Sequence, residues 1–236
     1  MHAAVAMPQF LSGNGGDGRG GEVIVLDSGG YGGVTITQSV SIISPSGVYA
    51  GVSGFTGAAI DVNAPNGYVS LRGLVLNGQG GTTGIKVENA ITAHIENVLV
   101  TGFTANGIEV VGDGAIFVED SIIRNCAGGS GVLVAPPGLT YVTIDNTRLE
   151  YDGWGMVADS GAKVTMRNSL IAFSVHYGVL FRNTGMSGTP YGTIEHVVVS
   201  DTLGFCDGCL LCRRRRARDD QGQRRGSAAG LRLCGG

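Results

Sequence analysis

The chain has 236 residues, 43% of them hydrophobic and 15% charged, with a formal net charge of −3. That length and apolar share suffice for one elongated domain with a continuous core, and no stretch approaches a membrane span. Residues 1–203 hold 8 Lys+Arg against 16 Asp+Glu, a net of −8, so this part lacks the basic footprint of a nucleic-acid binder.

Residues 1–11 are mildly apolar but lack the basic start and long apolar run of an export signal. Residues 12–21 form a glycine-rich linker, and residues 1–20 contain no legible amphipathic cap. Short apolar runs at 23–27, 34–37 and 40–43 predict a first rung of strands, with Gln38 at its corner. Residues 44–58 are expected to be a looped insertion, and 59–62 with 68–76 the next rung.

A repeat then takes over. A Gly-apolar-x-apolar phrase recurs at Gly84, Gly107, Gly131, Gly155 and Gly178, at intervals of 23, 24, 24 and 23 residues. About ten residues after each glycine a second phrase alternates apolar and polar on both sides of a fixed position. That position holds Gly73, Asn97, Asp120, Asn146, Asn168 and then His196. Glycine, Asn and Asp tolerate a left-handed backbone, so it is a tight corner between two strands. Three short strands per repeat, with no helical stretch, describe one turn of a coil of parallel strands. The expected fold is all-β, a right-handed parallel β-helix (a solenoid) of about seven rungs. Residues 135–138 and 184–191 lengthen two corners on one face.

The repeat, the asparagine-rich corner and the phrase at residues 21–31 together resemble bacterial right-handed β-helix repeat proteins of the pectin-lyase-like superfamily, over about residues 21–203. The resemblance implies the fold and an extracellular or cell-surface setting. It does not imply one activity, because this fold hosts lyases, glycoside hydrolases, phage tailspikes and proteins of unknown role. The paired aspartates with Gly-His-Gly and Arg-x-Lys strings of its hydrolase branch do not occur here.

Residues 204–236 differ in kind, with 8 Arg, 3 Asp and four of the five cysteines. Cys206, Cys209 and Cys212, with Cys234 distant, resemble part of a zinc or iron–sulfur ligand set. The tail reads either as a flexible basic segment or as further rungs translated out of frame. A one-nucleotide shift over residues 219–225 accommodates Thr-Ile-Arg-Asp-Ser-Val-Val, which parallels residues 165–171.

Alternation stacks Arg72, Glu96, Glu119, Asp145, Arg167 and Glu195 outward in one column. Neighbouring carboxylates about 4.8 Å apart repel. Arg72 and Arg167 relieve them in a solvated ion-pair ladder, or Glu96, Glu119 and Asp145 bind calcium. Pectate lyases place calcium-binding carboxylates and a basic arginine on an outward sheet, which by resemblance gives Arg167 the role of base. A second outward column is apolar, with Val75, Leu99, Ile122, Leu170 and Val198 interrupted by Arg148, and Leu133, Val157 and Leu180 extend it on another sheet. Such a column suggests a packed loop, a partner or self-association, and an uncovered sheet end invites self-association as well. Trp154 and Tyr177 precede repeat glycines one rung apart, with Tyr151 and His176 near, and offer a seat for a sugar ring or a stack that braces the corner. Asn97, Asp120, Asn146 and Asn168 are expected to form an inward, hydrogen-bonded ladder, and Cys126 a core or corner residue. Three functions remain open: a non-catalytic module binding polysaccharide or protein along its flank, a calcium-dependent polyuronate lyase, and a fragment without independent function.

Overall fold

The computed structural model describes residues 20–185 and 188–202, and the backbone of residues 204–207. Each turn of the chain lays down three short strands, as in Thr92–Glu96, Leu99–Thr101 and Asn106–Val110. Every strand pairs in parallel with its equivalents one turn before and after, which builds three eight-stranded sheets. From the first tier to the last there are seven steps of about 4.8 Å. The described residues contain no helix.

The register is set by side-chain alternation. Ile95 lies level with Leu71 and Val118, and Ile144 with Val118 and Met166. All five are buried, and with the inward residues of the other two sheets they form one core along the axis. A one-residue slip would turn every one of them to solvent, so the pattern fixes the pairing.

The first corner, between the first and second sheets, carries positive φ angles at Gly73 (73°), Asn97 (51°), Asp120 (50°), Asn146 (45°), Asn168 (50°) and His196 (51°). The corner is as expected, but its side chains are not inward. Asn97, Asp120, Asn146 and Asn168 are exposed, because a left-handed residue here turns its Cβ away from the axis. The bonds they make are external, Asn146 Nδ2 donating to Asp120 Oδ1 at 2.6 Å and Asn168 Nδ2 to Asp145 Oδ1 at 2.9 Å. The buried polar ladder belongs to the next residue. Ser121 Oγ donates to the Glu119 carbonyl at 2.7 Å and Ser169 Oγ to that of Arg167 at 2.6 Å. Their oxygens accept from the Val98 and Thr147 amides of the preceding turn, at 3.2 and 3.1 Å.

The repeat glycines have a different cause. A Cβ on Gly131 would lie 2.6 Å from Asp152 Oδ2 and 2.9 Å from the Gly155 carbonyl, and one on Gly84 2.5 Å from the Gly107 carbonyl. The next turn approaches too closely for any side chain.

The first two tiers differ from expectation. Ala50–Gly54 is a second-sheet strand and Ala58–Asn63 a third-sheet strand, so residues 44–58 are not a looped insertion. Its glycines and small residues hide the alternation. Gln38 lies between Val34–Ile36 and Val40–Ile43, at the third-to-first corner rather than the one Asn97 occupies. The longer connections, from Val134 to Thr140 and from Phe181 to Tyr191, share that same third-to-first corner.

Gly204–Asp207 pairs with Tyr177–Phe181 and is the last described strand of the third sheet. The basic-tail, reading-frame and cysteine-cluster expectations for the rest of 204–236, and the cap and leader expectations for residues 1–19, lie outside the described residues.

Candidate functional site

The charged column stands where alternation places it, with Arg72, Glu96, Glu119, Asp145, Arg167 and Glu195 in register on the outer face of the first sheet. Arg72 clamps Glu96 through Nε at 2.9 Å and Nη2 at 2.5 Å, and Arg167 Nε reaches Asp145 Oδ2 at 2.8 Å. The Asn168 amide and then Arg167 hold the Asp145 carboxyl below its ordinary range. Glu119 lies between the two pairs and carries no ion pair among the described residues. Nor are three His, Cys, Asp or Glu side chains gathered to hold a metal ion among those residues.

On the second sheet, Val75, Leu99, Ile122, Arg148, Leu170 and Val198 form the expected outward column. Val198 is 60% exposed and the other four apolar members are half-buried. On the third sheet Leu133, Val157 and Leu180 are aligned, and Val157 is buried although it points outward.

The aromatic residues gather at the second corner, between the second and third sheets. Here Gly102, Asn125, Tyr151, Phe173 and Asp201 occupy equivalent places with φ of 77°, 59°, 59°, 57° and 53°. Two bulky aromatics therefore sit in a backbone region that their neighbours fill with Gly, Asn and Asp. A left-handed residue with a Cβ costs about 1–2 kcal/mol. Tyr151 and Phe173 stack on one another, centroids 4.7 Å apart and planes within 11°, yet remain 52% and 45% exposed.

Beside them Trp154 packs on His176 at 4.4 Å with a tilt of 33°. The expected Trp154–Tyr177 stack is thus replaced. His176 precedes the strand Tyr177–Phe181 and its ring can swing over Trp154, whereas Tyr177 opens the strand and is 37% exposed. Val175, 54% exposed, completes the patch. Tyr151, Trp154 and Tyr177 were legible in the sequence. His176 was legible beside them, whereas Phe173 was found by the fold, although its one-turn spacing of 22 residues from Tyr151 was there to read.

Under this patch lies a carboxyl. Asp152 is fully buried, its Oδ1 accepts from the Cys126 amide at 2.8 Å, and its Oδ2 has no partner among the described residues. Burial, with Glu150 adding to it, pushes Asp152 up to about 7 against the hydrogen bond from the Cys126 amide. Cys126 is a buried free thiol, pushed up to about 12 by burial and by Asp152, and is a core residue as expected.

No described helix is long and apolar enough to cross a membrane. Compared with curated proteins, the chain finds no match. Residues 58–206 match the family model described as a right handed beta helix region. The match covers more than half of the chain and agrees with the three parallel sheets, so the chain belongs to the right-handed β-helix family.

Proposed function

We propose that the chain is a non-catalytic β-helix module of the pectin-lyase-like kind that binds a polysaccharide at the aromatic corner formed by Tyr151, Phe173, Trp154, His176 and Tyr177. The observation that carries this reading is the exposed Tyr151–Phe173 pair held at positive φ. The corner would be built at lower cost with Asn or Gly, as it is in neighbouring turns, so these rings are retained for something other than folding. Aromatic side chains offer apolar surface with a polar handle, which suits a sugar ring. The net charge of −8 over residues 1–203 disfavours a polyuronate and favours a neutral glycan. The polyuronate-lyase reading is less well supported, since Arg167 and Arg72 are engaged with Asp145 and Glu96.

Affinity electrophoresis through gels containing neutral or acidic polysaccharides tests the proposal. Retardation is expected in at least one neutral glycan, and it should be lost in Tyr151→Ala and in Phe173→Ala. Unretarded migration in every gel, or retardation that survives both substitutions, would count against it.

A further inference from the structure

Asp152 has a position that no other carboxylate among the described residues shares. It lies in the chain between Tyr151 and Trp154, the two residues that anchor the two ring pairs of the corner. Its carbonyl accepts from the Val175 amide at 2.9 Å, and the Gly153 carbonyl accepts from His176 at 2.8 Å. The Tyr151 amide donates to the Ala172 carbonyl at 3.1 Å, so the segment carrying Phe173, Val175, His176 and Tyr177 is tied to the backbone on either side of the Asp152 side chain. That side chain is fully buried with one orphaned oxygen. The charged and titratable groups around it are the Cys126 thiol from the preceding turn and Glu150 from its own, and neither is a cation. Glu150 is paired outside with Arg148. The following turn contributes His176, whose ring stacks outside on Trp154.

We propose that Asp152 is a protonation switch beneath the aromatic corner, which holds the ring pairs in place while its carboxyl is neutral and loosens them when it ionises. A neutral carboxyl leaves one oxygen unpaired, a modest cost. An anion at the same place has only the Cys126 amide and thiol to solvate it, with no cation beside it, and is expelled toward water. Asp152 is carried on the segment that anchors both ring pairs, so bringing its carboxylate to water moves that segment, and ionisation and opening of the corner are one event. Burial places this titration near neutral pH, at about 7. The proposal rests on the glycan-binding reading only for its consequence, that ligand affinity falls as pH rises.

The test needs no ligand. Trp154 is the only tryptophan in the chain, so its fluorescence reports the corner. Between about pH 5 and about pH 9 the wild-type protein should show one transition near pH 7. His176 contacts the indole and is the competing source. The transition should disappear in Asp152→Asn and persist in His176→Gln. Its persistence in Asp152→Asn, its loss in His176→Gln, or its absence from the wild type would each overturn the proposal.

The wild-type protein gives a second reading if Asp152→Asn does not fold. Protection of the Val175 and His176 amides, corrected for intrinsic exchange, should fall about tenfold per pH unit up to about pH 7 and then level off. Protection that does not vary with pH would also overturn it. A switch seen by fluorescence in a protein that binds no glycan would remove the proposed function and leave this inference standing.

Discussion

Tyr151 and Phe173, one turn apart, are both left-handed and lie with their rings in parallel 4.7 Å apart at the second corner. The backbone term opposes this arrangement by about 1–2 kcal/mol per residue, and the ring stack returns about 0.5–1.5 kcal/mol. Tyr151→Asn or Phe173→Asn removes both at once. Each variant is expected to keep its stability within about 1 kcal/mol of the parent, while glycan retardation is lost. A drop of several kcal/mol in urea unfolding would show that the rings serve the fold rather than a ligand.

Asp152 makes stability depend on pH. Its folded pKa is raised, so the native state holds a proton that the unfolded chain releases above about 4. Stability is therefore full below the unfolded value, falls as pH rises from about 4 to 7, and is flat beyond. The shift from 3.8 to about 7 corresponds to an order of magnitude of about 4 kcal/mol. Asp152→Asn should remove this slope. In thermal unfolding it is expected to match the parent at about pH 4 and to exceed it at about pH 8. Equal melting temperatures at the alkaline end would contradict the buried, uncompensated carboxyl.

The first corner was legible because positive φ narrows the choice of residue so far that Asn97, Asp120, Asn146 and Asn168 show as a column. Their direction was not legible, since alternation breaks at a left-handed residue and the buried role passes to Ser121 and Ser169. The second corner failed the same filter, because Tyr151 and Phe173 are residues that the rule excludes. Ala50–Gly54 was missed for the opposite reason, having too little side chain to alternate. The Trp154–His176 contact depends on how a corner residue turns its ring, which no period encodes.

The repeat glycines are required for space, at negative φ. A Cβ on Gly131 meets both Asp152 Oδ2 and the Gly155 carbonyl; the second is backbone, and the first belongs to a buried carboxyl held through its other oxygen by the Cys126 amide. Gly131→Ala must push two turns apart or displace the buried carboxyl. It is expected to destabilise by about 2–4 kcal/mol, comparable with overpacking a tight core. At the exposed Gly30, where an added Cβ meets nothing within 4 Å, alanine should change stability by less than about 0.5 kcal/mol. Equal effects at the two sites in denaturant unfolding would mean that the turns can relax apart.

Arg167 and Asp145 flank Glu119 on one side as Arg72 and Glu96 do on the other, and Glu195 continues the charged column one turn beyond Arg167. If arginines alone relieve the carboxylates, the ladder is an exposed electrostatic device with no need of a metal. Arg167→Ala then lowers stability by only about 0.2–1 kcal/mol, and the difference shrinks toward zero in about 1 M salt, where charges are screened within about 3 Å. Adding millimolar-range calcium after chelator treatment should leave the melting temperature unchanged. The variant sharpens this test, because removing Arg167 leaves Glu96, Glu119 and Asp145 with one cation fewer and gives calcium its best opportunity. A calcium-dependent rise in melting temperature that appears in the parent would restore Glu96, Glu119 and Asp145 as metal ligands. A rise confined to Arg167→Ala would show that the arginine occupies the place a cation would otherwise take.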